Sequence, residues 1–180
     1  MKLIGILLLV ISMNVFAAPT LKFTGYKFTE KAGVSGTFKK IDWSIPKNTV
    51  GSIDFLKNIS LKIDTWSIDA GNSARNVNIT ESLFKNWGDR YINAKAVKLD
   101  TQKKVLVMSM SVGKVTKNVE FKYKTDKNKI FFNSEIDLIN LGFENAFSKL
   151  SELCSALHTG KDGVAKTWST VDIEVGLDLI

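Results

Sequence analysis

The chain has 180 residues, of which 44% are hydrophobic and 24% charged, and a formal net charge of +7. This length suits one globular domain, which would bury about 70% of its unfolded surface. A single cysteine excludes an internal disulfide, and the lysines stand singly or in pairs, as in Lys39 and Lys40 or Lys103 and Lys104, a solvated strand surface and not the basic block that nucleic acid requires.

Met1 and Lys2 form a short positive start, Leu3 to Ile11 an apolar core, and Val15-Phe16-Ala17 supplies small residues at −3 and −1 of a cleavage site. Residues 1–17 are therefore expected to be a cleaved secretory signal, with one domain over 18–180 in the periplasm. The apolar run is shorter than the ~18 residues that span a bilayer, and no cysteine at the cleavage point offers a lipid anchor.

Alternation dominates the rest of the chain. Leu21 and Phe23, then Ile59, Leu61 and Ile63, then Val119, Phe121 and Tyr123 alternate with polar residues, as strands with one wet face do. The last strand is the cleanest, with Val171, Ile173, Val175, Leu177 and Leu179 on one side and Thr170, Asp172, Glu174 and Asp178 on the other. Turns are expected at Lys31-Ala32-Gly33, Asp100-Thr101-Gln102 and Asp126-Lys127-Asn128. Two stretches break the pattern. Val77, Leu83, Phe84 and Trp87 suit a short helical excursion over residues 75–87, and Phe143, Ala146, Phe147, Leu150, Leu153, Cys154 and Leu157 fall on one helix face that Gly160 stops. Strands with one packed helix point to a closed barrel or a sandwich.

Few residues offer chemistry. His158 is the only histidine, so it has no second imidazole to share a metal and is expected to interact with free carbonyls at the helix end. Cys154 lies on the apolar stripe, as a buried thiol does. Asp64 and Asp69 are turn aspartates with nothing that specifies a catalytic pair. No catalytic residues and no metal ligands are assigned. The informative face is apolar: Leu106, Met108, Met110 and Val112 share one side of a strand, and adaptable methionine suits a flexible hydrophobic ligand as well as a fixed core.

Gly25-Tyr26-Lys27-Phe28 leading into Gly33-Val34-Ser35-Gly36-Thr37-Phe38 resembles the opening of the YceI-like family of periplasmic proteins. Trp66-Ser67-Ile68-Asp69-Ala70-Gly71-Asn72-Ser73-Ala74-Arg75-Asn76 resembles that family's central motif, with Ala70 for a threonine and Asn76 for an aspartate, a change that keeps a hydrogen bond and loses a charge. Leu157-His158-Thr159-Gly160-Lys161 and Trp168-Ser169-Thr170-Val171 resemble the ending of one branch.

The resemblance implies a mainly β fold: a lipocalin-like antiparallel eight-stranded barrel with the amphipathic helix before its last strand. It also implies a polyisoprenoid or similar lipid chain inside, no catalysis, no other cofactor, and often a homodimer. With alternation, this gives Leu106, Met108, Met110, Val112, Val119, Phe121, Ile130 and Phe132 as the expected lining. Ser67, Asp69, Gly71, Asn72 and Arg75 are expected to shape a motif loop, a structural role more than a ligand contact. Expected partners are a hydrophobic lipid, a membrane touched transiently and a second copy of the chain, without nucleic acid. The rival readings are a solid-core interaction module, a periplasmic hydrolase and an integral outer-membrane barrel.

Overall fold

The computed structural model describes residues 18–46 and 52–179; the expected signal, residues 1–17, lies outside them. The alternating segments form ten strands: β1 (Thr20–Lys27), β2 (Ala32–Phe38), β3 (Ile41–Ser44), β4 (Ser60–Asp64), β5 (Ile68–Asp69), β6 (Tyr91–Asp100), β7 (Val105–Val112), β8 (Val115–Asp126), β9 (Lys129–Asp137) and β10 (Thr167–Asp178). They make one antiparallel sheet in the order β3-β4-β6-β7-β8-β9-β10-β1-β2-β5. Two helices interrupt them, α1 (Ser73–Ser82) and α2 (Glu144–Leu153), with short 3-10 turns at Asp54–Asn58, Thr65–Ser67, Phe84–Asn86 and Ala156–His158.

The sheet curls until its ends meet. β2 pairs with β5 through Thr37–Asp69 and Phe38–Ile68, while β3, the continuation of β2, pairs with β4 through Ile41–Ile63. Between these stretches the Lys39 amide donates to the Ser67 carbonyl at 2.9 Å, and the Asp64 amide to the Lys40 carbonyl at 3.1 Å. β2–β3 is thus one bent strand and β4–β5 another. Counted so, the ring has the eight strands expected of a small barrel, and strands tilted around a closed ring leave no open edge.

The interior carries two apolar clusters, one toward each end. At one end Phe55 and Leu56, from the first 3-10 turn, pack with Leu106, Met108, Ile130, Phe132 and Leu177. Leu56 is fully buried and plugs that end. At the other, Phe84, Trp87, Phe143 and Ala146 from the helical segments pack with Ile63, Val112 and Val119. Trp87 and Phe143 stack with centroids 4.3 Å apart. Side chains buried in this way contribute ~1.5–3 kcal/mol each for the larger aliphatic and aromatic residues. Outward positions such as Lys22, Lys62, Glu120 and Lys122 are exposed. Apolar inside and charged outside is the reverse of a barrel that spans a bilayer.

Several local expectations are corrected. The first turn falls on residues 28–31, and Ala32 and Gly33 belong to β2. Val77 points to solvent at 57% exposure, and Ile79 packs against the core from α1. The second helix is shorter than its apolar stripe: it ends at Leu153, 53% exposed on its last turn, and Leu157, beyond it in the next 3-10 turn, is 63% exposed. The periodicity persists there, but the helix that would give it meaning has ended.

Candidate ligand-binding cavity

Between the two clusters the barrel is hollow, with a cavity of about 540 Å³, inside the ~300–1,000 Å³ range of small-molecule sites. Leu106, Met108, Met110, Val119, Phe121 and Phe132 line it, as the alternation of β7, β8 and β9 requires. Val112 and Ile130 do not. They are 1% and 0% exposed and belong to the packed ends, because alternation tells which side of the wall a residue faces but not its height along the barrel axis. The inward face of β10, Val171 to Leu177, lines the cavity as fully as β7 does. Its strict alternation is the signal for that role. Ile79, Phe147, Leu150 and Cys154 add a helical roof. Leu157 and Asn72 are both exposed and both part of the wall, so the cavity reaches solvent between α1 and the end of α2.

The motif loop builds one side of that mouth. Ser67 ties the seam, its hydroxyl donating to the Asp64 carbonyl at 2.6 Å and accepting from the Lys40 amide at 3.0 Å. Asp69 accepts from the Gly71 amide at 3.1 Å and pairs with Lys39 at 3.2 Å; these two contacts, the amide first, hold its carboxyl below the usual range. Gly71 takes φ +73°, a conformation other residues resist. Asn72 caps α1, accepting from the Arg75 amide at 2.9 Å. Asn76, where the family motif has an aspartate, accepts from the Ala70 amide at 2.8 Å, and Arg75 Nη1 donates to the Ala70 carbonyl at 2.7 Å. Ser67, Asp69 and Gly71 shape the loop and stay off the cavity; Asn72 and Arg75 do both jobs.

His158 departs from the expected capping role. Its Nδ1 shares a hydrogen bond with Thr167 Oγ1 at 2.7 Å, and its ring lines the cavity, because the 3-10 turn after α2 swings it against the start of β10. Burial first, then the charges of Lys27 and Arg75, press its pKa below the ordinary value. Burial pushes the Cys154 thiol up, against the lesser lowering by the charge of Lys27, so the site disfavours the thiolate. No aspartate or glutamate is among the lining residues, and no cluster of metal-ligating side chains occurs among the described residues. The site offers apolar burial with a polar rim, an arrangement suited to holding a hydrophobic molecule.

No family model and no curated protein matches the sequence. Solved structures do match in shape. A polyisoprenoid-binding domain from Saccharophagus degradans implicated in plant cell wall breakdown superposes with a TM-score of 0.62 at 15% identity, covering 92% of this chain and 96% of that one. Burkholderia cenocepacia BcnA gives 0.59 at 11% identity, over 88% and 94%. A Campylobacter jejuni YCEI protein gives 0.57 at 17%, over 86% and 90%. The hollow antiparallel barrel, roofed by α1 and α2 and opening beside the motif loop, is therefore the fold of the YceI-like proteins.

Proposed function

We propose that the protein binds a long-chain amphiphile of polyisoprenoid type inside the barrel and carries it across the periplasm, without catalysis. The observation that supports this reading is the cavity: apolar, plugged by Leu56 at one end and open to solvent at the other. At ~30 Å³ per chain carbon, taking the volume of a liquid water as guide, the space holds on the order of fifteen to twenty carbons. Each buried methylene adds ~0.8 kcal/mol, enough in sum for tight binding after the cost of ordering the chain. That one similar fold is described as polyisoprenoid-binding is in keeping with this. Leu157, exposed and part of the cavity wall, is a side chain that a membrane or a second copy of the chain would meet at the mouth.

Organic extraction of the purified mature protein and mass spectrometry of the extract test the reading, together with uptake of added isoprenoid quinone by the stripped protein. An isoprenoid or fatty chain in the extract, and saturable uptake, are expected. An empty extract with no uptake refutes the reading and leaves a solid-core interaction module. Met110→Trp, which intrudes on the cavity, is expected to reduce uptake while the barrel stays folded.

A further inference from the structure

Lys27 takes an inward position at the end of β1, in phase with Leu21, Phe23 and Gly25, so its stem runs along the cavity wall. Arg75 stands on the first turn of α1, half-buried, its guanidinium oriented by the bond from Nη1 to the Ala70 carbonyl. His158 faces them from the turn after α2. All three line the same cavity, as do Asn72 and Asn78, and no carboxylate among the described residues lines it. Neither Lys27 nor Arg75 has an acidic partner among the described residues, whereas Lys22, Lys31 and Lys39 on the outer surface do. Burial first, and then the nearby charges of Lys27 and Arg75, press the His158 pKa below its ordinary value, in keeping with three groups that line one opening.

An unpaired cation on a solvated strand needs no explanation. Two at the rim of an apolar cavity lose hydration, and a single carbonyl for Arg75 and the face of the Phe28 ring for Lys27 leave both without a counter-charge. A guanidinium fork and an ammonium facing one opening also form an arrangement that accepts phosphate or carboxylate oxygens, more strongly than in bulk water because the rim is partly desolvated.

We propose that the mouth seats the anionic head group of a single-chain amphiphile, a phosphate monoester or a carboxylate, on Lys27 and Arg75, with the tail in the barrel. This rests on the proposed lipid-binding role and adds the head group to it. His158 borders the seat, and because it is the chain's one histidine it reports on the seat by itself.

The test compares geranylgeraniol with geranylgeranyl monophosphate, which share a tail, on the delipidated full-length mature chain. The monophosphate is expected to bind about tenfold tighter or more, the size of one charge-assisted hydrogen bond. That ratio is expected to fall toward one in Lys27→Gln and in Lys27→Gln/Arg75→Gln, and to survive in Lys27→Arg. Lys27 Nζ lies over the Phe28 ring at 4.5 Å and makes no hydrogen bond within the described residues, so the single variant serves even if Arg75→Gln loosens the motif loop. In NMR titrations the His158 pKa is expected to rise with the monophosphate seated and to stay put with the alcohol. Equal binding of the two lipids overturns the head-group assignment and leaves the barrel reading standing. Binding of neither overturns both. A rise in the His158 pKa with inorganic phosphate alone as large as with the monophosphate overturns the amphiphile assignment in favour of a free anion.

Discussion

Ala94 lies on β6 opposite Met110 of β7 and Leu61 of β4, and it lines the cavity. Ala94→Leu pushes three more carbons into that space. At ~0.8 kcal/mol per buried carbon the gain approaches 2 kcal/mol, an upper value because the unfolded chain already buries part of that surface. For a chain of this size that is a rise in Tm of about 4–8 °C. The same carbons take room from a bound tail, so a twenty-carbon isoprenoid is expected to lose about 2 kcal/mol, roughly thirtyfold in Kd. Were the barrel packed solid, the larger side chain would instead strain its neighbours and cost ~1–3 kcal/mol. Urea unfolding of the delipidated protein and titration with geranylgeraniol read the two effects. A fall in stability with unchanged lipid affinity refutes the open cavity.

Three other outcomes rest on the geometry. Gly36→Ala is expected to cost ~1–3 kcal/mol in urea unfolding, because the new methyl meets the Asp69 carbonyl oxygen at 2.7 Å and Ala70 Cα at 2.9 Å, backbone that cannot swing aside. An unchanged urea midpoint would rule this out. Thr170→Val removes a buried hydroxyl with no partner among the described residues, so a gain of up to ~1 kcal/mol is expected, and a loss would show that the hydroxyl is satisfied. The fold favours the neutral form of His158, so the unfolded chain binds the extra proton as pH falls below about 6.5. Its contribution is thus whole above that pH, declines as pH drops toward the folded pKa and is flat below it. Comparing urea midpoints of the native chain and His158→Gln across pH 5–8 checks this: the variant should lose that slope, and an identical slope counts against it.

Much of the barrel is legible in the sequence because strand alternation is a local signal: β7, β8, β9 and β10 each show their inner face in five or six residues. What alternation lacks is the third dimension. It places Val112 and Ile130 on the correct side of the wall but not in the packed ends, and it has no means of marking β5, which is two residues long and exists only because β2 is there to pair with. By its local sequence Asp64 is one more turn aspartate. It is 7% exposed and held below the usual carboxylate range chiefly by hydrogen bonds from Arg90, at 2.8 and 2.6 Å, a partner 26 residues away that no local pattern reveals. The rim cations are hidden for a similar reason. Lys27 stands in phase with apolar residues, a visible oddity, but only the fold brings Arg75 and His158 around to meet it.

The pairing of Thr20 with Gly176 sets when the container comes into being. β1 is made before β10 and must wait for it, β10 being the last of the described strands in chain order, while every other neighbouring pair in the ring is joined by a much shorter loop. Such long-range closure comes late in folding. Until Thr167–Asp178 has docked, the molecule is an open, curved sheet whose apolar face is bare on both flanks. A chain truncated before that strand would not be a leaky version of the barrel. It would have no inside at all.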